Sequence, residues 1–118
     1  MPHHVDPRAQ ECIDRCQSCQ EICLETINHC LHLGGKHAEA DHIRLLMECA
    51  EICDTSARFM LLGSTRHARV CEVCAEICDA CAKDCERFGD DETMQRCVEA
   101  CRRCAESCRE MAKTATMR

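Results

Sequence analysis

Apolar and small residues recur every three or four positions through most of the chain, and charged residues fill the intervening positions. This spacing is typical of one face of an α-helix, and no segment shows the alternation of a β-strand. Glycines interrupt the pattern at Gly34-Gly35, Gly63 and Gly89, and Asp6-Pro7 is a helix-start signal. The pattern therefore predicts an all-α fold with helices at about 7–33, 38–62, 65–88 and 91–112.

Helices of this length, joined by short turns, favour an antiparallel up-down-up-down four-helix bundle. We expect one domain over residues 1–118, with residues 1–5 as a short arm before the first helix. We call the inward-facing a and d positions of each predicted helix its seam. Several apolar residues lie away from these seams, among them Leu24, Leu31 and Met47. They either widen the core stripe or form an outer face that packs against another subunit.

The inward seam carries cysteine where a bundle ordinarily carries leucine. In the stretch CEVCAEICDACAKDC, residues 71–85, five cysteines are spaced by three, four, three and four positions. All 16 cysteines of the chain fall on such a and d positions of the predicted helices. The residues of this predicted sulfur-lined core are Cys12, Cys16, Cys19, Cys23, Cys30, Cys49, Cys53, Cys71, Cys74, Cys78, Cys81, Cys85, Cys97, Cys101, Cys104 and Cys108.

Composition and charge indicate the cellular compartment of the protein and argue against some classes of partner. The net charge is −6 with both signs interspersed, which argues against nucleic acid as a partner. No stretch approaches the roughly 20 apolar residues of a membrane span, and the first residues do not have the pattern of a signal peptide. We therefore expect a cytoplasmic protein with no membrane partner, in a reducing compartment where thiols stay free or bind metal.

Three explanations other than metal account poorly for so many inward thiols. Cysteine used only as a small apolar residue would leave the core poorly filled. Neighbouring thiols on a helix have Cβ atoms about 5–6 Å apart, too far for an unstrained disulfide. CxxC units such as Cys16–Cys19 lack the βαβ context of a thiol oxidoreductase, so we expect no enzyme.

Thiolates are soft ligands that select Cu(I), Zn(II) or iron–sulfur clusters. A continuous ladder of thiols is expected to give no discrete tetrahedral site for zinc, whereas CxxxC pairs such as Cys12–Cys16 suit Cu(I). Each Cu(I) that replaces one thiol proton also leaves the charge of the core unchanged, and zinc does not. The residues favour multiple Cu(I) ions. The alternatives are a metallothionein-like zinc or cadmium buffer, or a thiol redox sink without metal.

Four helices with inward CxxxC and CxxC ladders resemble the bacterial cytosolic copper storage proteins, a family of cysteine-rich four-helix bundles. The resemblance covers residues 6–113 and rests on the 16 seam cysteines. It implies a homotetramer whose subunits each store many Cu(I) ions on cysteine thiolates and protect the cytosol from copper.

The two ends of the predicted bundle differ in their side chains. Met60, His67 and Met111 lie at the end that contains the first thiols of helix 1. Because a thioether or an imidazole is a weak, exchangeable ligand beside thiolates, we expect these three residues to bind copper during its uptake. Leu33, Leu46 and Phe88 are predicted to close the opposite end.

Overall fold

The structure, a computed structural model, describes residues 6–116, with side chains described for residues 6–113. Its described residues form four α-helices and no strand, which confirms the all-α prediction. The helices are α1 Pro7–Leu33, α2 Ala40–Leu61, α3 His67–Cys85 and α4 Glu92–Thr116. Short 3-10 turns occupy Gly35–Ala38 and Glu86–Phe88. The predicted arm, residues 1–5, lies outside the described residues.

Helix α1 begins and ends at the residues that the sequence provides for these roles. The Asp6 side chain accepts a hydrogen bond of 2.7 Å from the backbone N–H of Arg8, and Pro7 occupies the first helical position. At the other end Gly34 has a φ of 71°, and its N–H donates to the Cys30 carbonyl at 3.0 Å. Glycine adopts this left-handed conformation without strain, so the helix stops there.

The other helices depart from their predicted bounds because the turns form structure of their own. Helix α2 starts at Ala40, two residues later than predicted, since the chain first makes the turn Gly35–Ala38. Helix α3 starts at His67 because the Ser64 hydroxyl accepts the backbone N–H two residues further on, closing a separate turn. Residues 86–88 tighten into a 3-10 turn, and α4 continues beyond its predicted end.

Neighbouring helices run in opposite directions around the bundle. One contact from each interface illustrates this: Cys30–His42 at 3.4 Å, Cys53–Cys74 at 3.8 Å, Cys85–Cys97 at 3.9 Å and Cys12–Cys108 at 3.6 Å. Each contact joins the late part of one helix to the early part of its neighbour. The predicted antiparallel up-down-up-down bundle is therefore confirmed, with overall dimensions of 52 × 25 × 21 Å.

The centre of this bundle is made of thiols. Every cysteine is at most 1% exposed, and all 16 are free of disulfides. Thr26 and Ser56 are fully buried at seam positions between them, and the largest fully buried apolar side chains are Ile13, Leu46 and Met94. No described helix combines the length and apolar character needed to cross a lipid bilayer. The cysteine-lined core of the prediction is confirmed.

Candidate metal centre

Sulfur atoms from the four helices converge in groups of three or four along the bundle axis. Within each group all Sγ atoms lie within 4.8 Å of one another. From one end of the bundle to the other, these groups include Cys12/Cys71/Cys108, Cys16/Cys74/Cys104/Cys108, Cys19/Cys53/Cys78/Cys104, Cys19/Cys23/Cys49/Cys101 and Cys23/Cys81/Cys97/Cys101. Because consecutive groups share members, they form one continuous thiol ladder.

The spacing within the thiol ladder leaves room for metal. Its sulfur–sulfur contacts range from 3.5 Å between Cys16 and Cys104 to 4.0 Å between Cys19 and Cys23. Four sulfurs bound to zinc at 2.3 Å would be about 3.8 Å apart. The expectation that the ladder contains no discrete four-thiol site is therefore wrong, because thiols from different helices meet at the same level. Geometry alone admits both Zn(II) and Cu(I).

The net charge left in the core distinguishes Zn(II) from Cu(I). Zn(II) held by four thiolates leaves two buried negative charges, whereas one Cu(I) per thiolate leaves none. Among the buried side chains of the described residues there is no Lys or Arg to neutralise a surplus, and the one imidazole is that of His42. Burying net charge is costly. The thiol ladder consequently favours filling with monovalent copper.

Burial and contacts with neighbouring thiols raise the pKa of several cysteines, which therefore stay protonated when no metal is bound. The pKa of Cys30 is raised to about 11, first by its burial and then by the negative charge of Asp91. The pKa of Cys71 is also raised to about 11, chiefly through its contact with Cys108. Contact with Cys104 raises the pKa of Cys53 as well. Copper bound by these groups must displace protons that the fold holds tightly.

Cys30 lies beyond the thiol ladder in a mixed cluster. Its Sγ is 3.4 Å from His42 Nε2 and 3.6 Å from Met94 Sδ, and all three side chains are buried. On its other side the His42 ring contacts Asp84, with 2.5 Å between Nδ1 and Oδ2, so the carboxylate directs Nε2 toward Cys30. Thiol, imidazole and thioether together form a soft donor set that suits Cu(I).

Sequence reasoning did not identify His42 and Met94 as ligands. The available signal was that both lie on the seam, level with Cys30 at the end of α1. The same end is covered by Phe88, whose ring centroid lies 4.4 Å from that of His37 and 4.7 Å from that of His42. Leu33, predicted to help close this end, is instead 53% exposed.

The three predicted uptake residues lie near the opposite end of the bundle. Met60 and Met111 are buried, while His67 is half-buried and its Nδ1 is 2.9 Å from the Ser64 carbonyl oxygen. Among the described residues, no hydrogen-bonding contact joins any of the three to a cysteine. Their role in binding copper therefore stays a prediction.

An antiparallel four-helix bundle with a continuous thiol ladder and no disulfide defines a protein that binds several soft metal ions inside its fold. The family model of the copper storage proteins (Csp) matches residues 5–113. The chain belongs to this family, which confirms the resemblance based on the seam cysteines.

Three solved structures illustrate the relationship. The Nmul_A1745 protein of Nitrosospira multiformis is 57% identical, with a TM-score of 0.85 over 91% of this chain and 96% of its own. The Cu(I)-bound copper storage protein BsCsp3 is 36% identical, with a TM-score of 0.83 over 89% and 98% of the two chains. Ccsp of Streptomyces lividans, loaded with 10 copper equivalents, is 26% identical, with a TM-score of 0.80 over 96% and 92%.

One sequence relative also matches most of the chain. The cysteine-rich protein YhjQ of Bacillus subtilis is 36% identical over 93 residues, which is 79% of this chain and 85% of that protein.

Proposed function

We propose that this chain stores multiple Cu(I) ions on the thiolates of its core and thereby protects the cytosol from copper. The observation that carries the proposal is the thiol ladder, in which linked groups of buried, disulfide-free cysteines run along the bundle axis. The similarity of the whole chain to Cu(I)-bound BsCsp3 and to copper-loaded Ccsp supports copper as the stored metal. A related S. lividans structure, 28% identical, is of a cytosolic copper storage protein, which supports the same location here.

The alternatives fit less well. A zinc or cadmium buffer would leave buried negative charge in each four-thiol group, with no buried Lys or Arg among the described residues to balance it. A redox sink needs thiols that oxidants can reach, and these are at most 1% exposed. The proposed role is storage by coordination, and no step in it requires catalysis.

The proposed ligands are the 16 cysteine thiolates, completed at one end by His42 and Met94 beside Cys30. Met60, His67 and Met111 are retained as predicted uptake ligands at the other end. Stopped-flow uptake of Cu(I) by a Met60→Leu/Met111→Leu variant, compared with Met94→Leu, discriminates between the two ends. The variant that slows uptake without changing capacity identifies the end at which copper enters.

A gain of capacity is expected from Ser56→Cys. The Ser56 hydroxyl oxygen is fully buried and lies 3.5 Å from Cys71 Sγ and 4.0 Å from Cys108 Sγ. A thiol at this position would complete the three-thiol group at the end of the thiol ladder. Anaerobic metal analysis should then show about one additional Cu(I) per chain, because each added thiolate balances one monovalent ion.

Ser56→Ala is the matched control, because it removes the same hydroxyl without adding a thiol and should leave the capacity unchanged. An unchanged capacity in Ser56→Cys, with the extra thiol verified by titration, would contradict the proposed ladder.

We further propose that the chain forms a homo-oligomer, a tetramer by its family resemblance. The support is apolar surface on the neighbouring helices α1 and α2: Leu24, Leu31 and Met47 are 52%, 58% and 57% exposed. Leu31→Glu should weaken self-association by at least about tenfold, because a carboxylate buried in an apolar interface loses its hydration without gaining a partner. Sedimentation velocity would then show smaller species.

Leu62→Glu provides the comparison, since Leu62 is 79% exposed at the far end of α2 and away from Leu31. Equal sedimentation of Leu31→Glu and the unmodified protein would place the interface elsewhere.

A further inference from the structure

We propose a second metal site, outside the thiol core, formed by His29, His37 and Asp91 and suited to a divalent ion such as Zn(II). Two imidazole nitrogens converge on a single carboxylate oxygen: His29 Nε2 is 2.8 Å and His37 Nε2 is 3.0 Å from Asp91 Oδ2. None of the three belongs to the thiol ladder. The proposal goes beyond copper storage, since it concerns a different metal and different donor atoms.

Three separate elements hold this His–His–Asp cluster in place. His29 belongs to α1, His37 to the turn Gly35–Ala38, and Asp91 immediately precedes α4. The other Asp91 oxygen, Oδ1, accepts the backbone N–H groups of Thr93 and Met94 at 3.0 and 3.3 Å. Oδ2 is thereby directed toward the two rings. The cluster is built by the fold and does not depend on the chance orientation of long side chains.

The spacing of the donor atoms suits a tetrahedral ion. Zinc bonds of about 2.0–2.1 Å to nitrogen and oxygen place neighbouring ligands about 3.3 Å apart. The observed separations of 2.8 and 3.0 Å are those of two N–H···O hydrogen bonds, and they need to widen by about 0.3 to 0.5 Å to hold the ion. A bound ion would replace these protons, with both histidines neutral and coordinating through Nε2.

The exposure and the charge of the His–His–Asp cluster also suit a divalent ion. The three side chains are 29%, 23% and 18% exposed, so water can complete the coordination while the remaining surface is enclosed. Burial alone would raise the pKa of Asp91, but hydrogen bonds from His29, the Met94 backbone and His37 outweigh it, and the pKa lies below its usual range. The carboxylate therefore carries its charge at neutral pH.

The donor chemistry separates this site from the copper store. Imidazole and carboxylate suit Zn(II) and similar divalent ions, whereas thiolates select Cu(I). An ion on Asp91 Oδ2 would also fix the start of α4, where Met94 lies 3.6 Å from Cys30 Sγ. The two sites can thus be occupied together by different metals at the same end of the bundle.

The test uses protein whose thiols are already filled with Cu(I), titrated anaerobically with Co(II) as a spectroscopic substitute for Zn(II). We expect one Co(II) per chain with visible d–d bands and without the near-ultraviolet charge-transfer bands of a cobalt–thiolate. The variant His29→Gln/His37→Gln should bind Co(II) more than about tenfold more weakly. Loss of a residue that only orients a metal ligand typically costs about 10–100-fold in metal affinity, and this variant loses two ligands themselves. Glutamine can still donate to Asp91, so the fold is preserved.

His32→Gln is the matched control, since His32 is exposed on the same helix and lies outside the cluster. Imidazole ¹⁵N NMR during a Zn(II) titration gives a second readout, which should move the signals of His29 and His37 whatever occupies the thiols. Cobalt–thiolate bands, equal affinity in the double variant, or unmoved His29 and His37 signals would each overturn the proposal.

Discussion

Filling the reduced protein with Cu(I) is expected to raise its melting temperature by tens of degrees. Without metal, the core is made of small thiols that contribute less transfer free energy than leucine would. An ion held only by the folded state stabilises it by about 4 kcal/mol when its free concentration is a thousand times its dissociation constant. For a chain of this size, each kcal/mol corresponds to about 4 °C, and several ions act together.

Anaerobic thermal denaturation followed by circular dichroism measures this effect on apo and loaded protein. Removing the copper with a strong Cu(I) chelator should return the melting temperature to the apo value, which excludes irreversible oxidation as the cause. A shift of only a few degrees at full loading would show that the copper lies outside the folded core.

Raising the pH from 9 to 11 is expected to destabilise the apo protein strongly. The pKa of Cys30 and that of Cys71 are both raised from 9.0 to about 11 in the folded state. Below pH 9 both folded and unfolded chains keep these protons, so the stability is fully present. Between pH 9 and 11 the unfolded chain releases them and the folded one does not. Stability therefore falls, by up to about 3 kcal/mol for each of these two thiols.

Urea unfolding of the reduced apo protein at pH 8, 9.5 and 11 tests whether the free energy of unfolding falls as the pH rises. The sequence contains no Tyr, so tyrosine ionisation does not contribute to the transition. Cys30→Ser should show a shallower decline, and copper-loaded protein should show little decline because its thiolates no longer carry protons. An apo stability that stays constant or increases over this range would contradict the protonated, buried core.

The helices and the thiol-lined seam could be predicted because they depend on local spacing. Cysteines at intervals of three and four, with Gly34 and Gly89 as stops, determine which face is buried whatever the exact turns are. The alignment of one helix against the next is different, since it depends on turn geometry. The groups of four thiols could therefore not be derived from spacing within a single helix.

The same limit applies to the cluster around Cys30 and to the His–His–Asp cluster. His42 and Met94 lie 12 and 64 positions from Cys30, and Asp91 lies 62 positions from His29. Their proximity arises because α1 ends beside the start of α4 and the turn after α1 folds back over both. No pattern of hydrophobic and polar residues encodes such contacts between helix ends.

An anaerobic Cu(I) titration of the fully reduced protein, against a competing chelator and followed by gel filtration and metal analysis, tests the central claim most directly. Storage on the thiol ladder predicts that roughly one copper per cysteine stays with the protein, because that loading keeps the buried core neutral. Retention of only one or two ions, or preference for one zinc per four thiols over copper, would contradict it.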